Sequence, residues 1–368
     1  MSLNIKTETA KIDDEIKLSS GKKLMSYDIR YETYGHLSDK KDNAVLICHA
    51  LSGNHHAAGR YKGEEKSGWW DNMIGPGKPI NTDKLFVVCP NNLGGCHGST
   101  GPNCINDKTG EYFGSKFPIV TVSDWVNSQK SLLNHLNIPF WRCVIGGSLG
   151  GMQSLQWSLE YPELIKNCII IAAAPKLTAQ NIAFNEVARQ AIMKDPDWCG
   201  GDYLKEKKSP DQGLSLARML GHITYLSDDS MKKKFGRDLQ QPNLKFNYEV
   251  EFEIESYLRY QGTKFVSNFD ANTYLLMTKS LDYFDPIKDY GDKIQRMLSK
   301  TTCKFLVISF TSDWRFPPHR SKEIVELLLD NNKPVSYAEI NSSGGHDAFL
   351  MENENYFKTM DNFIKRLR

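Results

Sequence analysis

The chain has 368 residues, 46 basic against 44 acidic side chains for a formal net charge of +2, with 40% hydrophobic and 24% charged residues. That balance is the composition of a soluble globular protein long enough for one large or two ordinary domains. It offers no basic block for nucleic acid or an anionic membrane, and the isolated Lys232-Lys-Lys234 run reads as a solvated helix face.

Taken from the N-terminus, the first eighteen residues are polar and charged and lack the apolar stretch of a signal peptide. No later run has the length of a membrane span, so a cytoplasmic location is expected. Residues 16–34, with their Gly21-Lys-Lys turn, read as a hairpin on a sheet edge. Apolar runs at 44–48, 85–89, 143–145, 168–172 and 305–310 predict strands buried on both faces, and 335–340 a more alternating strand. Helical periodicity falls between them at 122–136, at 149–161 (stopped by Pro162) and at 321–329. Strand–helix alternation of this kind predicts an α/β fold, a mostly parallel doubly wound sheet. Between 176 and 300 the pattern becomes polar and helix-like, with segments at 181–193, 213–220, 250–265 and 272–283. The expectation is a catalytic core of residues 1–175 and 301–368 with a helical lid inserted at 176–300.

Cys48, Cys89, Cys143, Cys168 and Cys303 lie in or beside strand-like runs, and no C-x-x-C spacing occurs. They read as buried, reduced thiols rather than a disulfide frame or zinc site. Cys96, Cys104 and Cys199 fall in loops and receive no role.

Gly146-Gly-Ser148-Leu-Gly150 joins the run ending at Ile145 to the helical pattern Leu149, Met152, Leu155, Leu159. A serine on a strand-to-helix turn has the layout of a nucleophile elbow, although G-x-S-x-G alone is a weak signal. Such a serine needs a base, and the base needs an orienting carboxylate. Asp313 follows the 305–310 strand and His346 follows the 335–340 strand, each where sheets of this class place ligands. Taken singly, Asp313 reads as a loop cap and His346 as a turn histidine. Their order after Ser148, each on a strand-end loop, favours a catalytic triad. Oxyanion donors are expected from the N–H groups of Leu149 and of Leu51, the latter in the loop after 44–48. His49, His55 and His56 have no metal-helix spacing and are assigned to the pocket wall or its support.

Several stretches together carry a family resemblance. They are His49-Ala-Leu-Ser-Gly, Asn91-Asn-Leu-Gly-Gly-Cys-His-Gly-Ser-Thr-Gly-Pro102, Gly146-Gly-Ser-Leu-Gly-Gly-Met-Gln153 and Ala217-Arg-Met-Leu-Gly-His-Ile-Thr-Tyr225. Phe269-Asp-Ala-Asn-Thr-Tyr274, Ser312-Asp-Trp-Arg-Phe-Pro317 and Gly345-His-Asp347 complete the set. From about residue 16 to the C-terminus, the chain resembles the homoserine O-acyltransferases of methionine biosynthesis. The resemblance implies an α/β-hydrolase core, a lid that mediates homodimerisation, and no metal or prosthetic group. It implies that Ser148 takes the acyl group of an acyl-CoA and passes it to the γ-hydroxyl of L-homoserine. Arg218 matches the family position that binds the homoserine carboxylate, Asp347 the one that binds its ammonium, and Tyr225 a pocket residue.

The family divides between acetyl-CoA and succinyl-CoA users. A succinyl chain ends in a carboxylate, which requires a cationic partner in an apolar pocket. Arg315, two residues past Asp313, and the Asp-Trp-Arg-Phe-Pro run resemble the succinyl branch; the acetyl donor is the alternative. A plain serine hydrolase is the rival enzyme reading, and it leaves Arg218 and Asp347 without a purpose. A hydrolase-fold binding protein without activity is disfavoured by the complete candidate triad.

Overall fold

The Val- and Ile-rich runs form strands because β-branched side chains suit a pleated surface packed on both sides. The computed structural model describes residues 3–367. Eight strands build its main sheet: β1 (Ile5–Ile12), β2 (Tyr27–Tyr34), β3 (Ala44–Cys48), β4 (Phe86–Pro90), β5 (Cys143–Gly147), β6 (Asn167–Ile171), β7 (Lys304–Phe310) and β8 (Val335–Ile340). Their spatial order is β1-β2-β4-β3-β5-β6-β7-β8. From β4 through β8 all pairings are parallel, with Ile145 beside both Ile47 and Ile169, while β2 runs antiparallel to β1 and β4.

Alternation along these buried strands feeds two cores. Leu46, Val144, Ile170 and Val307 join one; Ile47, Ile145, Ile169 and Ile308 join the other. The first core is covered by α1 (Val122–His135), α2 (Leu149–Glu160) and α10 (Pro318–Asp330), through Trp125, Leu155 and Leu328. The second is covered by α11 (Glu354–Lys365), through Tyr356 and Met360, and by the 57–80 segment with Trp70 and Met73. A capping box starts α1, with Thr121 and Asp124 satisfying each other's backbone N–H groups.

The hairpin expectation needs correction. Residues 16–34 do not pair among themselves as one hairpin: the long edge pair is β1 with β2, and the Gly21 turn closes only a two-residue ladder between Ile16–Lys17 and Lys23–Leu24. The polar look of 5–12 hid β1, because an edge strand buries few side chains; within it only Ala10 and Ile12 are buried.

Seven helices lie between β6 and β7: α3 (Ala179–Met193), α4 (Asp211–Tyr225), α5 (Asp228–Lys234), α6 (Glu253–Val266), α7 (Ala271–Tyr283), α8 (Pro286–Tyr290) and α9 (Lys293–Lys300). α3 and α6 both pack on α4, whereas α9 returns to pack on α2 of the core. All eight cysteines are free, with Cys48, Cys89, Cys143, Cys168 and Cys303 buried. Among the described residues no helix is long and apolar enough to cross a membrane.

Candidate active site

β5 ends in Gly147, and the chain turns through Ser148 into α2 with no intervening loop. Ser148 has φ 57° and ψ −122°, a conformation seldom adopted by a residue with a side chain. It is held there by its own N–H, which donates to the Ile171 carbonyl at 2.9 Å. The flanking glycines are sterically required. A Cβ on Gly146 would stand 2.1 Å from the Gly150 carbonyl oxygen, and one on Gly150 would stand 2.0 Å from that of Cys48. The elbow thus presses against β3, which brings the 49–54 loop alongside the serine.

Asp313 and His346 arrive from β7 and β8, whose last residues Phe310 and Ile340 pair. His346 Nδ1 lies 2.7 Å from Asp313 Oδ2, and His346 Nε2 lies 2.8 Å from Ser148 Oγ. The other carboxylate oxygen of Asp313 accepts the backbone N–H groups of Arg315 at 3.0 Å and Phe316 at 2.8 Å. Those bonds fix the carboxylate plane, and all three side chains are buried. The rings of Phe316 and Phe349 flank the imidazole at 5.1 and 5.8 Å between centroids. Such a chain of contacts can move a proton from a serine hydroxyl to an imidazole whose cation the carboxylate stabilises.

Leu51 lines this site, and Leu149 directly follows Ser148 in the chain. Leu149 is the first residue of α2, so its N–H has no partner within the helix. Among the described residues neither amide is engaged by a backbone carbonyl. The pocket above Ser148 is lined by Ala50, Leu51 and Ser52 on one side, Tyr225 and Leu281 from the inserted helices, and Arg315, Asp347 and Leu350.

Three charged groups gather here without ion-pair partners among the described residues. Arg315 is 7% exposed, and its guanidinium is bonded to the neutral Thr224 and Asn185. Arg218 donates to Ser52 Oγ at 3.3 Å and lies over Phe265, 4.5 Å from its centroid, while its buried Nε has no partner. Asp347 is partly buried, and burial pushes its carboxyl up, opposed by His346, Arg218 and Arg315. Ser52, Asn185, Thr224 and Phe316 were not anticipated. Asn185 sits in helical periodicity with nothing local to mark it; Ser52, Thr224 and Phe316 lie within the stretches that carry the family resemblance but have no assigned contact there.

The three N-terminal histidines divide. His49 supports the 49–54 loop: its Nε2 accepts the Asn92 N–H at 3.0 Å, and its Nδ1–H donates to the Ala50 carbonyl at 2.8 Å. His55 and His56 are not pocket-wall residues. His56 Nδ1 contacts the fully buried Glu32 at 3.0 Å, which also accepts from Tyr34, Tyr61 and Thr7, and the Tyr34 hydroxyl oxygen lies 3.2 Å from the His55 carbonyl oxygen. Burial lowers His49 and His55 from 6.5 to about 4. A depressed folded value means the unfolded chain binds protons first. Stability is therefore full above about pH 6.5 and falls toward pH 4, by about 3 kcal/mol for His49 alone. Equilibrium urea unfolding across that interval should show the midpoint falling with pH, and a level midpoint would refute the buried neutral imidazoles.

The sheet order, the elbow and the late Asp and His define a protein of the α/β-hydrolase class, and a family model for the alpha/beta hydrolase fold matches residues 43–352. The chain is 60% identical over 358 residues to a homoserine O-succinyltransferase from Hydrogenovibrio crunogenus, covering 97% of this chain and 93% of that one. Within the class it belongs to the homoserine O-acyltransferase family. Two solved structures are also similar. One is a homoserine O-acetyltransferase from Bacillus anthracis, with TM-score 0.90, 28% identity and coverage of 99% of this chain and 98% of that one. The other is an acetylester hydrolase from Corynebacterium glutamicum, with TM-score 0.80, 25% identity and coverage of 98% and 95%.

Proposed function

We propose that this protein transfers a succinyl group from succinyl-CoA to the γ-hydroxyl of L-homoserine through an acyl-serine intermediate. Ser148 Oγ attacks the thioester carbonyl while His346 Nε2 takes its proton, and the backbone N–H groups of Leu51 and Leu149 receive the oxyanion. The C–S bond then breaks, and His346 returns the proton to the departing thiolate. In the second half, His346 accepts the proton of the homoserine hydroxyl as that oxygen attacks the acyl carbonyl. The ester to Ser148 breaks, and Ser148 recovers its proton. Asp313 holds the imidazole tautomer throughout. Coenzyme A enters as part of a substrate, and the family resemblance implies no resident cofactor.

The observation that carries this reading is the set of charges around one pocket. Two guanidiniums and one carboxylate without ion-pair partners match the charges of the bound pair of substrates: a succinyl carboxylate, an α-carboxylate and an α-ammonium. An acetyl donor leaves Arg315 without an anion, and a simple ester hydrolase leaves all three unused. Arg218 suits the homoserine carboxylate through its planar fork, Asp347 the ammonium, and Tyr225 lines the same space. Residues 176–300 are proposed to form a lid that keeps water from the acyl-enzyme. Exposed Val187 and Leu216 on α3 and α4 support a homodimer formed through this lid. Thiol release from succinyl-CoA and from acetyl-CoA, with and without L-homoserine, tests the whole reading. Equal rates with and without homoserine would make the protein a hydrolase.

Arg218→Leu and Asp347→Asn should each damage the homoserine half-reaction, by about ten- to a hundred-fold for a lost charge-assisted contact. Release of coenzyme A in the absence of acceptor should be spared. Equal damage to both halves would remove their role as acceptor ligands. Arg315→Leu should lower kcat/KM for succinyl-CoA by the same order while acetyl transfer holds level or improves. A parallel loss with both donors, or a wild-type preference for acetyl-CoA, would overturn the choice of donor.

A further inference from the structure

We infer that Asn185 and Thr224 are positioning residues for donor specificity: they hold the Arg315 guanidinium with neutral oxygens so that its charge stays available to the distal carboxylate of the acyl chain. This rests on the proposed role of Arg315. The observation is a hydrogen-bonded chain through the inserted helices. Arg315 donates from Nη1 to Thr224 Oγ1 at 2.9 Å and from Nη2 to Asn185 Oδ1 at 3.3 Å, with the Tyr225 ring centroid 5.4 Å away.

Both acceptors are themselves oriented. The Thr224 hydroxyl donates to the Gly221 carbonyl at 2.8 Å, which turns its lone pairs toward Arg315. Asn185 Nδ2 donates to Asp282 Oδ1 at 2.8 Å. Because a carboxylate only accepts and a guanidinium only donates, the amide has one orientation that satisfies both neighbours. The carboxylate on the far side of Asn185, Asp282, is taken by another cation: its Oδ2 pairs with Arg189 Nη1 at 2.7 Å, and Arg189 also pairs with Glu186 at 2.9 Å. Arg189, Asn185 and Thr224 are nearly inaccessible, at 3, 4 and 0% exposure.

The chemistry follows from this order. Were Asp282 in contact with Arg315, the pair would be internally neutral and a second carboxylate would gain little there. Asn185 stands between them as an uncharged spacer of fixed orientation, and Arg189 absorbs the Asp282 charge. A buried guanidinium held only by neutral groups gains most from an incoming anion. Carboxylate-terminated acyl chains are thereby favoured over neutral ones of similar length.

The test uses the full-length protein with succinyl-CoA and acetyl-CoA. Asn185→Leu and Thr224→Val should each lower the succinyl-to-acetyl ratio of kcat/KM by about tenfold, the loss of one hydrogen bond to a charged group. Thr224→Ser should restore the ratio, since it returns the hydroxyl without the methyl. A merely structural role would lower both donors together and leave the ratio unchanged, and that outcome overturns the inference. If Asn185→Leu does not fold, as judged by its thermal transition, the Thr224→Val and Thr224→Ser pair decides. Arg315→Leu separates the two levels. Without a selective succinyl loss in that variant the donor reading itself fails. With one, an unchanged ratio in Thr224→Val refutes only the positioning role.

Discussion

Ser148→Ala should lower acyl transfer by on the order of 10⁴-fold or more and abolish the covalent intermediate. Intact-mass measurement of the wild-type protein with succinyl-CoA alone should show one succinyl addition, mapping to the peptide that contains Ser148. The expectation follows from a hydroxyl 2.8 Å from an imidazole nitrogen, on an elbow whose backbone is held in a rare conformation. Loss of one oxygen leaves that geometry intact, so the variant should fold normally and bind donor. Addition at another residue, or a Ser148→Ala variant that keeps its rate, would refute the mechanism.

His346→Ala should cost a similar factor, and Asp313→Asn about 10⁴-fold through the wrong imidazole tautomer. The decisive measurement is the double variant Ser148→Ala/His346→Ala. Residues acting as one unit give grossly non-additive losses, so the double variant should be hardly slower than either single one. The physical reason is that the imidazole serves only by taking the serine proton; with the serine gone it has nothing left to catalyse in the first half-reaction. Multiplying penalties would mean that Ser148 and His346 act in separate steps.

The site was unevenly legible in the chain. The convergence of Ser148, Asp313 and His346 was legible because each follows an apolar strand run, and strand ends in a parallel sheet converge on one edge. Arg315 was legible as a charged residue beside Asp313, but its partners were not. Asn185 and Thr224 lie 130 and 91 residues from it and look like ordinary helix positions. His55 and His56 were misplaced for the complementary reason. They follow His49 closely in sequence, yet the chain carries them to the buried Glu32 on β2, a neighbour created by sheet order.

Local chemistry determined the elements. Val- and Ile-rich runs had to become two-sided strands, Gly146 had to leave room for the Gly150 carbonyl in a crowded turn, and Pro162 had to stop α2. These outcomes depend on side-chain sterics within a few residues, so they can be read without a fold. The edge strand β1 escaped because partial burial erases the apolar signal. Tertiary structure decided the electrostatics. Whether Arg315 meets a carboxylate, a neutral oxygen or water depends on which helix of the 179–300 region packs over the loops that follow β7 and β8. A charge next to its counter-charge and a charge left for a substrate are the same residue in the sequence. Here the packing of α3, α4 and α7 gives Asp282 to Arg189 and leaves Arg315 to neutral partners.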